Sequence, residues 1–401
     1  MPGGSFTERS PGTDLADAGA PPAPRILGTV RVAIVTESFL PRVNGVTNSV
    51  CRVLEHLAGR GHQAMVVAPG PGPDAYAGFR VRLMPSVALP MYPSFTVGLP
   101  TPRVEEALRA YRPDVVHLAS PVVLGASGVT AARRLGIPTV AVFQTDLAGF
   151  ARRHGFRGTD TAIWSWLRRL HAQADRTLAP STATLRELRA RGVPRTEHWG
   201  RGVDLDLFHP RHRSAALRRK LAPGGEVLVG YVGRLSADKR VHLLSCLAGL
   251  PGIRLVVVGD GPAEARLRRR LPGAAFLGFR TGAPLSEALA SLDVFVHTGA
   301  NETFCQAVQE ALAAGVPVVA PAAGGPLDLV MPAANGLLYP PESPGGLRAA
   351  VAALAEDAGL RTRMGVHARR SVRGRSWDRV CDRLLGHYAD VAAAAAGTPA
   401  A

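Results

Sequence analysis

Lysine is almost missing from this 401-residue chain: all but two of its 47 basic residues are arginine, the exceptions being Lys220 and Lys239. Acidic residues are also short, 31 against 47, which leaves a net charge of +16 and a pI near 11.0. That balance points to an anionic partner (phosphorylated substrate, anionic lipid surface or nucleic acid) or simply to a solvated basic face. Nucleic acid is disfavoured, because aromatics make up only 5% and no aromatic-interleaved basic stripe, RNP motif or zinc-finger spacing occurs. Cysteine is sparse. Cys51, Cys246, Cys305 and Cys381 are scattered without a C-x-x-C pair, which argues against a disulfide framework or structural zinc and suits a reducing cytoplasm. No run approaches the roughly 18–20 apolar residues of a membrane span; the longest clean stretches, such as Leu255–Val258, are strand-sized. Residues 1–27 are rich in Gly, Pro, Ala and Ser and lack a charged segment followed by an apolar one. They read as a disordered leader rather than a signal peptide, and residues 394–401 as a disordered tail.

What is present suffices for two cores. Hydrophobic residues make up 46%, charged residues 19%, and mean hydropathy is +0.09. The length suits two domains of roughly 150–200 residues. From Arg31 onward, short apolar runs alternate with helical text. Val32–Val35, Gln63–Val67, Val115–Leu118 and Thr139–Val142 read as strands, with a helix at Val46–Gly59. Val227–Tyr231, Leu255–Val258, Val294–His297 and Val318–Ala320 repeat the pattern. Asp114-Val115-Val116-His117 lies 22 residues before Gly136-Ile137-Pro138, and Asp293-Val294-Phe295-Val296-His297 lies 22 residues before Gly315-Val316-Pro317. Alternating strands and helices mean parallel sheets covered on both faces, here two doubly wound domains of similar plan joined near Arg201–Pro223. Ligands of such sheets bind beyond the carboxyl ends of the strands. The amphipathic stretch from Ser376 to about Ala393 reads as a helix that crosses back onto the first domain.

Chemistry concentrates after those strands. Val227–Tyr231 runs into Gly233-Arg234-Leu235-Ser236-Ala237-Asp238-Lys239. An arginine fork and a lysine point charge there can neutralise a diphosphate without metal. Glu302 and Glu310 bracket Thr303–Gln309. For a helix beginning near Thr303, Glu302 stands at its N-terminus and Glu310 about 12 Å along it. The helix N-terminus is a ready diphosphate site, and the two carboxylates can hold hydroxyls of a sugar and a ribose. Gly45 opens the first helix, where a phosphate can approach the backbone closely. The turn Pro321–Pro326 can cradle an anion or be a plain turn. Asp204-Leu205-Asp206 spells a metal-binding Asp-x-Asp but follows no strong strand, so it reads as loop structure. Gly259-Asp260-Gly261-Pro262 lacks the third glycine of a dinucleotide fingerprint. His117 and His297 read as structural, and Cys305 as a small buried residue. Trp164, Trp166, Arg168 and Arg169, together with the apolar Met84–Pro100 segment, fit either an interfacial surface or a core.

Gly233-Arg234-x4-Lys239, Glu302-x7-Glu310 and Asn44-Gly45-Val46 together resemble the retaining glycosyltransferases of the GT-B fold, in the large group called family 4. The likeness spans residues 30–390. Val142-Phe143-Gln144-Thr145-Asp146, Leu178-Ala179-Pro180-Ser181, Gly202-Val203-Asp204 and Glu302-Thr303-Phe304-Cys305-Gln306 look closer to actinobacterial GDP-mannose-dependent α-mannosyltransferases acting on lipid-linked acceptors. The resemblance implies an α/β protein with two Rossmann-like domains facing across a cleft. Residues 28–205 would form the acceptor-side domain, 206–375 the nucleotide-sugar domain, and 376–393 a helix packed on the first. It implies that Arg234 and Lys239 bind the diphosphate, Glu310 the ribose, and Glu302 the sugar hydroxyls, helped by the N–H groups of Phe304, Cys305 and Gln306. Gly45 would approach the diphosphate from the first domain. Many relatives carry a histidine near the reactive carbon; here that position is Gln144, and either Gln144 or Asp146 is expected to contact sugar or acceptor. No metal or other cofactor is expected. The expected partners are a nucleotide-sugar donor and a lipid or glycolipid acceptor, with a cytoplasmic location and peripheral contact with an anionic membrane. Transfer from UDP-glucose or UDP-N-acetylglucosamine and nucleotide-sugar epimerisation stay open as alternatives.

Overall fold

The computed structural model describes residues 28–89, 92–149 and 158–397. Residues 1–27 and 398–401, most of the expected leader and tail, lie outside the described residues. Among the described residues sixteen strands form three sheets. The first domain holds β1 (Arg31–Thr36), β2 (Gln63–Pro69), β3 (Ala75–Tyr76), β4 (Phe79–Met84), β5 (Ser86–Leu89), β6 (Tyr92–Gly98), β7 (Val115–Ala119), β8 (Thr139–Val142), β9 (Arg176–Ala179) and β10 (Thr196–His198). The second holds β11 (Val227–Val232), β12 (Ile253–Val258), β13 (Ala275–Gly278), β14 (Val294–Val296), β15 (Val318–Pro321) and β16 (Gly336–Tyr339). The large sheet runs β10-β9-β8-β7-β1-β2-β4-β3, parallel except for the β3–β4 pair, and the second runs β13-β12-β11-β14-β15-β16, all parallel. β5 and β6 form a separate antiparallel pair.

The central strands are continuous apolar runs because both sheet faces are covered. Val32, Ala33, Ile34 and Val35 are all fully buried, the even residues in one core layer and the odd in the other. β11 repeats this, with Leu228 and Val232 on one face and Val229 and Tyr231 on the other. The helix Gly45–Gly59 starts at Asn44, whose Oδ1 accepts from the N–H of Val46 at 2.9 Å and of Thr47 at 3.0 Å. This side-chain cap is worth about 1 kcal/mol. One face of the helix, with Val50, Val53, Leu54 and Leu57, is buried on the sheet.

The last helix, Trp377–Ala396, continues past Ala393, three residues into the expected tail. It lies on the first domain: Val380, Leu384, Leu385, Tyr388 and Val391 share a core layer with Val32, Ile34 and Leu54. Each buried apolar side chain of this kind contributes roughly 1.5–3 kcal/mol. Polar contacts fix its register. Trp199 Nε1 donates to the Val380 carbonyl at 2.9 Å, and the Tyr388 hydroxyl bonds His117.

Candidate active site

Each large sheet reverses its strand order once near its middle. In the first sheet β1 sits between β7 and β2; in the second β11 sits between β14 and β12. Such switch points open a crevice at the carboxyl ends of the strands. The two crevices face each other across one cavity of about 550 Å³. Its lining draws on the loops after β1, β7, β8, β11 and β14 and includes Gly45, Gln144, Asp146, Arg234, Lys239, Glu302, Phe304, Cys305 and Gln306. Glu310 is not part of the lining.

On the second-domain wall, Lys239 Nζ lies 2.6 Å from Glu302 Oε1. His297 Nε2 lies 3.2 Å from the same oxygen, off the line of a hydrogen bond. Burial alone would raise the Glu302 carboxyl; the Lys239 ammonium and the His297 imidazole overcome it and hold the group well below the usual carboxylate range. Burial would likewise lower Lys239, and Glu302 holds it up. Arg234 is exposed and pairs with Asp238 at 2.9 Å. The Lys239 carbonyl accepts from Thr298 Oγ1 at 2.6 Å, which ties the β11 loop to the β14 loop.

The loop carrying Glu302 is not the helix start expected at Thr303. The helix begins at Gln306, and Cys305 precedes it with φ +81°, a left-handed conformation that tightens the chain before the first turn. A backbone contact holds this loop in place. Gly325 N–H donates to the Glu302 carbonyl at 2.8 Å, and a Cβ on Gly325 would lie 1.8 Å from the Phe304 carbonyl oxygen. The glycines after β15 therefore brace the Glu302 loop, and this N–H is spent on protein rather than on an anion. Glu310 sits one turn into the helix, with its carboxyl pushed up to about 8 by burial.

On the first-domain wall, Gln144 is engaged. Its Oε1 accepts from Arg201 Nη2 at 2.5 Å, and its carbonyl accepts from Thr303 Oγ1 at 3.3 Å across the cleft. Asp146 Oδ1 accepts from the Gly149 N–H at 2.7 Å, capping its own turn. Two residues here escaped the reading of the sequence. Glu37, directly after β1, is 6% exposed and accepts from the N–H groups of Val122 at 3.2 Å and Gly125 at 2.8 Å. Burial pushes its carboxyl up to about 7, against those hydrogen bonds. Its position at the end of the first buried strand was a usable signal. Arg201, in the loop between the domains, also lines the cavity, and one arginine in so arginine-rich a chain gives no signal.

His297, Glu302 and Cys305 have ligand atoms within 4.8 Å of one another, the one such group among the described residues that could hold a metal. The Lys239 ammonium already occupies the Glu302 carboxylate, so the donor set fits a metal poorly. Asp204 serves its own loop: Oδ1 accepts from the N–H groups of Asp206 and Leu207, and Oδ2 pairs with Arg52 at 3.2 Å. Trp164 is buried and stacked on Phe143 with ring centroids 6.0 Å apart, a core role rather than an interfacial one. Among the described residues no helix is long and apolar enough to cross a membrane.

Comparison with known proteins agrees with this architecture. The family described as Glycosyltransferase Family 4 matches residues 43–207, and Glycosyl transferases group 1 matches residues 213–371. A GDP-mannose-dependent alpha-mannosyltransferase of Mycobacterium tuberculosis is 55% identical over 366 residues, 90% of this chain and 96% of the relative. One of the same name from Mycolicibacterium smegmatis is 51% identical over 90% of this chain and 97% of its own. Among solved structures, Anabaena HepE in complex with UDP superposes with a TM-score of 0.75 at 20% identity, covering 90% of this chain and all of that one, a likeness of the GT-B fold. The two facing switch points, the matched halves and the relatives at half identity over nearly the whole length place this chain in glycosyltransferase family 4, beside the actinobacterial GDP-mannose-dependent alpha-mannosyltransferases.

Proposed function

We infer that the chain transfers mannose from GDP-mannose, and that it does so with retention onto a lipid-linked or glycolipid acceptor. The supporting observation is the Lys239–Glu302 pair, 2.6 Å apart at one switch point and facing the N-terminus of the Gly45–Gly59 helix at the other. In this reading Lys239 and Arg234 take the donor diphosphate, and Glu302 takes the sugar hydroxyls. The bond from the anomeric carbon to the β-phosphate oxygen breaks as the acceptor hydroxyl oxygen attacks from the same face. The hydroxyl proton passes to the departing phosphate. Negative charge grows on that phosphate, where two cations and the N-terminus of the Gln306–Ala313 helix meet it. Glu310, outside the cavity lining, takes the ribose only if the first turn of that helix adjusts. In this reading no metal is required, because Lys239 and Arg234 bring positive charge to the diphosphate from the cavity wall.

The test is incubation of the purified chain with GDP-mannose, UDP-glucose or UDP-N-acetylglucosamine, a polar-lipid extract and chelator, read by mass spectrometry. The expected result is a hexose adduct from GDP-mannose alone, undiminished by chelator. Loss of product with chelator would refute metal independence, and donor conversion without an adduct would identify an epimerase.

A further inference from the structure

We propose that Arg201 is a third cation on the donor diphosphate, presented from the interdomain loop and positioned by Gln144; the proposal rests on the nucleotide-sugar reading above. Arg201 is anchored at its backbone. Its carbonyl accepts from Gln309 Nε2 at 2.9 Å, and the Gly202 carbonyl accepts from Gln306 Nε2 at 3.0 Å. Both donors belong to the helix whose first residues line the cavity. The side chain then crosses to the first domain, where Nη2 meets Gln144 Oε1 at 2.5 Å. Nη1 comes so close to Gly45 that a Cβ there would lie 2.6 Å from it. Gly45 therefore makes room for a guanidinium as well as for any phosphate.

This cation lacks a counter-ion. Nε is buried with no hydrogen-bond partner, and Arg201 makes no ion pair among the described residues. The carboxylate that bears on it, Glu302, is already bonded to Lys239. Burial lowers the guanidinium only to about 10, so it keeps its proton at neutral pH. A half-buried cation with a buried, unpaired Nε and no counter-ion is costly, and a guanidinium can only donate hydrogen bonds. Its complement is an oxyanion. The N-terminus of the Gly45–Gly59 helix adds its own positive end at the same place. Two positive features converging on one point favour a phosphate oxygen over a neutral sugar hydroxyl. Gln144 then acts through Arg201 rather than on the sugar.

Calorimetric titration with GDP and with guanosine tests this. Arg201→Met should weaken GDP binding about tenfold or more, the usual worth of a charge-assisted contact, and leave guanosine unchanged. Arg201→Lys should recover part of the loss, and Gln144→Ala should show a smaller loss of the same kind. A merely structural arginine would lower the melting temperature and affect both ligands alike. GDP affinity equal to that of the unaltered chain would overturn the proposal, as would a rise in acceptor KM alone, which would move Arg201 to the acceptor. Failure of the unaltered chain to bind GDP would instead overturn the donor reading on which it rests.

Discussion

The two walls of the cleft treat a buried carboxylate in opposite ways. On the second-domain wall, Glu302 is held ionised by Lys239 and His297. On the first-domain wall, Glu37 faces only backbone N–H groups, and burial pushes it up to about 7. The second-domain wall is therefore a fixed set of charges, and the Glu37 site on the first-domain wall a set of hydrogen bonds that a neutral group could make equally well. Catalysis that depends on stabilising a departing diphosphate needs fixed charge, so the walls should differ most sharply when each carboxylate or its partner is removed.

The largest expected contrast is in turnover. Lys239→Ala and Glu302→Ala should each lower mannosyl transfer by roughly 10²–10³, the loss typical of one preorganised electrostatic group. Glu37→Gln keeps both acceptor bonds and should cost less than about tenfold. Steady-state assays with far-UV circular dichroism on all three would check this. Equal losses on both walls would erase the distinction.

Glycines give a second contrast. A Cβ on Gly325 would meet the Phe304 backbone carbonyl at 1.8 Å, whereas one on Gly45 would meet the far end of the Arg201 side chain at 2.6 Å. Backbone cannot yield as a side chain can. Gly325→Ala should destabilise the chain by about 3 kcal/mol, at the upper end of overpacking effects, and displace the Glu302 loop. Gly45→Ala should leave the melting temperature within a few degrees and weaken GDP binding instead. Thermal melts and GDP titration separate the two.

The same asymmetry governs what could be read without coordinates. The strands were legible because buried parallel strands are unbroken apolar runs, as in Val32–Val35 and Val227–Val232. Arg234, Lys239 and Glu302 were legible because charge stood directly after such runs. The helix start at Thr303 was misjudged, since nothing in the residue name Cys305 announces φ +81°. Glu37 and Arg201 were not found. Their partners are a backbone N–H 85 residues away and a glutamine 57 residues away, and no local spacing encodes those contacts. Charge on the second-domain wall pairs with charge and shows in composition; polarity on the first-domain wall pairs with backbone and amide and does not.

The pH dependence of stability reports the sign of the difference most directly. Glu37 rises from an ordinary value of 4.5 to about 7 on folding. Between those pH values the native chain holds a proton that the unfolded chain has released, so stability falls as pH rises from 4.5 to 7 and is flat above. The full span is at most about 3 kcal/mol, from 1.36 kcal/mol per unit. Glu37→Gln removes the titration while keeping the bonds to Val122 and Gly125. It should match the unaltered chain near pH 4.5 and melt at a higher temperature at pH 8. Glu302 has the opposite sign: its stabilisation is present above its ordinary value of 4.5 and is lost as pH falls toward its depressed folded value. Glu302→Gln should therefore melt lower at pH 8, with the gap closing only in acid. Melting curves at pH 4.5, 6 and 8 for both variants would decide it. A Glu37→Gln variant no more stable than the unaltered chain at pH 8 would mean that the N–H groups of Val122 and Gly125 hold Glu37 ionised, and that both walls carry fixed charge.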